Sequence, residues 1–289
     1  MEPAASIECP LPWEVCLNLL MVALLEDDST FIECNSLVFW LVKSIVSFFI
    51  YNYKLHYPTL INLLYIFTSS DYRCGSNLGW SSIYSFTSVP DSANWSPKLA
   101  VYGDMGADNP QSLPRLQKEA QQGLYDAVFH IGDFGYDLYE QDGQLGDRFI
   151  RQIEPIAAYV PYMTAVGNHE EKYNFSHYKA RFSMPGSENS LFYSFNLGAA
   201  HHYFIIISTE FYYFINYGFK QVVLQYEWLR RDLKEANAVE NRTVRPWIIV
   251  MGHRPMYCSN TDHDDCTNRE TVTLVGLPII HWYFNLLFY

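Results

Sequence analysis

Ala127-Val-Phe-His-Ile131 runs directly into Gly132-Asp133-Phe134-Gly135-Tyr136, and this stretch decides the fold. The first five residues fit a strand buried on both faces. A glycine permits a tight exit turn and close backbone approach. The aspartate that follows then stands beyond the carboxyl end of the strand, where α/β sheets bind their ligands. The pattern recurs at Leu99–Tyr102 before Gly103-Asp104, at Pro161–Val166 before Gly167-Asn168, and at Trp247–Met251 before Gly252-His253.

Working outward, helical stripes separate these strands. Leu113, Leu116, Ala120 and Leu124 share one face, with Ser112 as the expected N-cap and Pro114 in the first turn. Phe149, Ile153 and Ile156 mark a second helix, ended or strained near Pro155. Val222, Tyr226, Leu229, Leu233 and Ala236 mark a third. Ser190–Thr209 reads as a hairpin around Gly198. Strand–helix alternation of this kind predicts an α/β fold with a parallel sheet. Residues 68–95 alternate in a strand-like way, and 92–97 read as a linker.

Asp104, Asp133, Asn168 and His253 lie 29, 35 and 85 residues apart, yet each follows a strand-end glycine. The pattern predicts that they converge. Carboxylate, amide oxygen and imidazole suit hard or borderline metal ions. A carboxylate can bridge two ions about 3.5–4 Å apart, the spacing used in phosphoryl transfer. Asp133 is the predicted bridge, because Tyr136 follows it by three residues. A phenol ionises near pH ~10, so a tyrosinate at acidic or neutral pH requires a strong Lewis acid such as Fe(III). A single Gly-Asp pair after a strand is usually a turn; the ordered set of four carries the argument.

The 289 residues suffice for one large domain and a smaller one. A net charge of −12 argues against nucleic acid as a partner. An acidic chain acting on phosphate esters needs local positive charge, which metal ions supply. Six cysteines form no C-x-x-C pair, which argues against a thiolate zinc site; Cys258 and Cys266 suit a short loop closure. Sequons at Asn94, Asn174 and Asn241 are glycosylation candidates and favour a secretory route, secreted or extracellular. Leu17–Leu25 has the length of a leader core, but Glu2, Glu8 and Glu14 precede it. Leu37–Ile50 is broken by Lys43, and the uncharged 271–289 contains Pro278, so no membrane span is expected.

Gly103-Asp-Met-Gly106, Gly132-Asp-Phe-Gly-Tyr136, Gly167-Asn-His-Glu170 and Val250-Met-Gly-His253 resemble four of the five ordered blocks of the purple acid phosphatases. Those blocks are G-D-x-G, G-D-x-x-Y, G-N-H-(D/E) and V-x-x-H. The family belongs to the calcineurin-like metallophosphoesterases. Gly106 and Tyr136 fit its purple branch, where other branches carry D-x-H first and lack the tyrosine. The likeness runs from Asp71 to Arg269 and looks closest to animal, long-form members. It implies an α/β metallophosphoesterase β-sandwich with flanking helices, preceded by a remnant of a fibronectin-like all-β domain. It also implies that Asp104, Asp133 and Tyr136 hold Fe(III), and that Asn168 and His253 hold a divalent Fe, Zn or Mn. Asp133 bridges the two ions in this scheme, and His169 faces the substrate phosphate as hydrogen-bond donor or acid. The implied reaction is acid hydrolysis of phosphate monoesters by a metal-bound hydroxide.

The fifth block, G-H-x-H, does not follow His253; His263 and His281 lack its context. Each metal then keeps three protein ligands and loses one. The expectation is a chain cut short before its last ligand motif and incomplete at the C-terminus. The alternative is a catalytically impaired variant that at most binds metal or phosphate. The expected divisions are an atypical apolar region (1–67), the all-β remnant (68–95), the phosphoesterase domain (96–270) and an atypical apolar tail (271–289). Oligomeric state is not readable.

Overall fold

The computed structural model describes residues 32–34, 69–76, 79–87, 89, 95–187, 189–197 and 202–254. Asn94, Cys258, Cys266, His263, His281, the two apolar N-terminal runs and the 271–289 tail lie outside the described residues. The chain divides into two units, 1–88 and 89–289.

In the first unit, β2 (Ser69–Ser76) pairs antiparallel with β3 (Gly79–Trp80) and with β4 (Tyr84–Thr87). A short β1 (Ile32–Cys34) lies parallel to β2. Tyr72 and Phe86 are buried with ring centroids 5.9 Å apart. Within the stretch 68–95, predicted to alternate in a strand-like way, Ser69–Ser76, Gly79–Trp80 and Tyr84–Thr87 are strand.

Among the described residues, the second unit holds two three-stranded sheets. In the first, β5 (Leu99–Tyr102), β6 (Ala127–Ile131) and β7 (Tyr162–Ala165) are all parallel, in that order. In the second, the hairpin β8 (Tyr193–Leu197) and β9 (His202–Ile206) is joined by β10 (Trp247–Met251), parallel to β9. The α-helices among its described residues are α1 (Leu113–Gln121), α2 (Gln144–Ala157), α3 (Lys172–Arg181), α4 (Lys220–Ala236) and α5 (Val239–Val244).

Side-chain alternation along a strand explains how these pieces stack. Phe129 of β6 points between the sheets, with its ring 6.0 Å from Phe195 of β8 and 5.0 Å from Phe204 of β9. Its neighbour His130 points the other way, 5.8 Å from Phe149 of α2. On β9, Tyr203 and Ile205 face Leu229 and Leu233 of α4. The result is a sandwich of two sheets with a helical layer on each side. A polar tie crosses it: the Tyr193 hydroxyl donates to the Thr164 carbonyl at 2.8 Å.

The structure corrects one detail: Ser112 precedes α1 in helical geometry and makes no side-chain cap. As expected, α2 ends near Pro155, at Ala157. β10 belongs to the mixed sheet and not to the parallel β5–β6–β7 sheet.

Candidate metal centre

The strand exits of both sheets meet at one end of the sandwich. Asp104, Asp133 and His253 each offer a donor atom, all within 4.8 Å of one another. Asp104 leaves β5, and its amide donates to the Gly132 carbonyl at 3.2 Å, tying two exits together. His253 leaves β10 of the other sheet and reaches across, so that Nδ1–H donates to the Ile131 carbonyl at 2.9 Å. That bond fixes the tautomer and frees Nε2 as a ligand atom. Nε2 lies 3.1 Å from Asn168 Oδ1 and 3.5 Å from Asp133 Oδ1. The Tyr136 hydroxyl donates to Asp104 Oδ1 at 2.9 Å. All five expected ligands are thus brought together.

Two of the strand-exit glycines stand directly against candidate ligands. A Cβ on Gly132 would overlap the His253 ring, and one on Gly167 would overlap the Asp133 carboxylate. Backbone strain is concentrated here too. Asp104, Asp133, Tyr136 and Asp137 have φ of 57°, 52°, 48° and 81°. Such non-glycine residues in the left-handed region cost of order 1–3 kcal/mol each and cluster at functional sites.

His169 flanks the ligands. Its ring meets that of Tyr136 edge-to-face at 4.5 Å, and Nδ1 lies 2.8 Å from Asp137 Oδ1. Its Nε2 is 3.9 Å from Asp133 Oδ2.

The electrostatics fit a cation site. Burial opposes the charge on Asp133, but the His253 bond and charge and the His169 amide outweigh it and lower its pKa. Burial likewise opposes a charged His253, yet Asp133 raises it to about 9. Burial, the bond to Asp104 and nearby carboxylates raise the Tyr136 phenol well above its ordinary range. Without a cation that phenol stays protonated. The oxygen and imidazole donors present therefore fit a pair of hard or borderline ions.

Sequence reading gave no role to three residues. Glu170, buried, accepts the amides of Asp133 at 2.8 Å, Phe134 at 3.0 Å and Gly167 at 2.9 Å. Burial and the Asp133 charge still raise its pKa to about 7. Its sequence signal was its place as the acidic residue that closes the G-N-H-(D/E) block. Asp137, which pairs with His169, had none. Glu210 is fully buried and accepts Arg254 Nε at 3.1 and 2.9 Å. That pair anchors the residue after His253. Of the glycosylation candidates, Asn174 is half-buried and its Oδ1 accepts from Gln221 at 2.7 Å, while Asn241 sits in α5.

A two-sheet sandwich with metal-donor residues on the strand exits is the architecture of metal-dependent phosphoesterases. The chain belongs to the calcineurin-like phosphoesterase family, whose model matches residues 97–280. It is 58% identical over 206 residues to acid phosphatase type 7 of Homo sapiens, a match covering 71% of this chain and 46% of that protein. It is 30% identical to purple acid phosphatase 15 of Arabidopsis thaliana, over 66% of this chain and 40% of that one. The chain thus spans less than half the length of these relatives. A purple acid phosphatase from yellow lupin seeds, PPD1, aligns structurally with TM-score 0.49 and 29% identity. That alignment covers 64% of this chain and 35% of the lupin chain. Among the described residues no helix is long and apolar enough to cross a membrane.

Proposed function

We propose that this chain is a metal-dependent phosphatase that hydrolyses phosphate monoesters at acidic pH. The observation that carries the reading is the convergence of Asp104, Asp133 and His253 from two sheets, with Asn168 and Tyr136 bonded to that group. Asp104, Asp133 and Tyr136 would hold Fe(III), and Asn168 and His253 a divalent Fe, Zn or Mn, with Asp133 shared. Such ions, when bound, supply Lewis acidity and activation of water. The protein's own part is positional. Ile131 and Asn168 hold the His253 ring, and Asp133 is fixed by the His169 amide at 3.1 Å. Asp137 orients His169, which would hold a proton at Nε2 for the phosphoryl or leaving oxygen. The sequons support a secretory destination, and the antiparallel β2–β4 strands support reading 68–95 as the end of an all-β domain.

A second reading is a protein that binds metal or phosphate without turnover. The observation favouring it is that the described donors number five side chains, Asp104, Asp133, Tyr136, Asn168 and His253, to be shared between two ions. Metal analysis of the purified chain together with an aryl phosphate assay separates the two. Two metals per chain with a visible charge-transfer band and turnover support the phosphatase. Less than one metal per chain and no turnover would sink it.

A further inference from the structure

The two loops that carry the candidate ligands also carry aromatic rings further from the strands. The loop after β6 bears Asp133 and Tyr136, then Tyr139. The segment after β7 bears Asn168 and His169, then Lys172 and Tyr173 where α3 begins. Tyr139 and Tyr173 meet edge-to-face with centroids 5.9 Å apart. Lys172 Nζ lies 5.7 Å from the Tyr139 centroid and 6.0 Å from that of Tyr173. The group follows the candidate centre closely along both segments. Tyr136 touches His169, and His169 binds Asp137, two residues before Tyr139.

The backbone sets Tyr173 in place at a conformational cost. Tyr173, Asn174 and Phe175 are consecutive left-handed residues, with φ of 54°, 55° and 59°. Residues with a Cβ resist this region, and single visits are the norm. Phe175 is fully buried, 5.8 Å from the Phe211 ring, and Asn174 is held by Gln221. These contacts enforce the turn. Its outcome is a Tyr173 ring turned to solvent, 61% exposed. A strained turn that presents a ring outward points to recognition rather than to core packing.

We propose that Tyr173, backed by Tyr139 and Lys172, forms a leaving-group subsite that favours aryl over alkyl phosphate monoesters. The inference rests on the phosphatase reading. A phosphate held at the ligand cluster beside His169 projects its ester group along the loops that carry these rings. An aromatic leaving group then stacks on the open face of Tyr173, where an alkyl group gains less. Lys172 stands over the same rings and attracts electron-rich or anionic substituents.

The test is calorimetric titration of the metal-loaded full chain with phenylphosphonate and with methylphosphonate. Phenylphosphonate is expected to bind roughly two- to tenfold more tightly. Tyr173→Ala is expected to abolish that preference and leave methylphosphonate affinity unchanged. Tyr173→Phe is expected to retain it. Equal affinities in the unsubstituted chain, or a preference that survives Tyr173→Ala, overturn the subsite and leave the phosphatase reading standing. Binding of neither phosphonate overturns the phosphatase reading and the subsite with it.

Discussion

Glu170 Oε2 accepts the backbone amide of Asp133 at 2.8 Å, so a side chain from the β7 exit fixes the backbone of the β6 exit. The same carboxylate holds Phe134 and Gly167. It therefore sets the distance between the loop carrying Asp133 and the loop carrying Asn168. Glu170→Gln places an amide nitrogen against backbone donors and strands at least one of them. Metal affinity should fall about 10- to 100-fold, the usual cost of losing a partner that orients ligands. Competition with a chromogenic chelator measures this. Unchanged affinity would remove Glu170 from the site's support.

Tyr136 is tested by Tyr136→Phe. The hydroxyl makes one bond, to Asp104. Losing it should cost about 0.5–1.5 kcal/mol, and the fold should survive. Any visible band of the iron-loaded protein should bleach, because no phenolate remains to donate charge. A retained band would show that Tyr136 is not an iron ligand.

The buried pair Glu210–Arg254 makes a stability prediction. Arg254 also lies over the Tyr213 ring at 4.1 Å. Arg254→Ala leaves Glu210 buried without its partner and should cost about 3–5 kcal/mol. Arg254→Ala combined with Glu210→Ala should cost less than the sum of the single changes, since no lone charge remains. Urea midpoints for the three variants check this; strict additivity would mean the pair is not coupled.

The strand ends were legible because their signal is local. An apolar run, a glycine and a donor lie within a few residues, and Gly132 and Gly167 are where a Cβ has no room. The sheet to which β10 belongs was not legible. Two facts hide it: Trp247–Met251 reads the same in either sheet, and its place beside β9 goes with the packing of Ile248 and Val250 on the cluster of Ile205, Leu229 and Leu233. Glu210, and the role of Glu170, were illegible for a related reason. An acidic residue reads as solvated, and partners 37 residues from Glu170 and 44 residues from Glu210 hold them in place.

Asp232 yields a pH prediction away from the candidate centre. Its Oδ1 accepts the Ser194 hydroxyl at 2.6 Å and the Tyr203 hydroxyl at 2.7 Å, while Oδ2 has no partner among the described residues. Burial raises its pKa above the ordinary 3.8, and the two hydroxyl bonds only partly offset this. A raised folded value means that the folded state binds the proton more tightly than the unfolded state. The stabilising contribution is full below the unfolded value and is lost as pH rises through the folded one. Asp232→Asn cannot ionise, and its amide oxygen can still accept both hydroxyls. The urea midpoint of Asp232→Asn relative to the unsubstituted chain should therefore rise with pH from below 3.8 upward, then level off. A difference that stays flat across that range would show that Asp232 ionises as readily in the folded protein as in the unfolded chain.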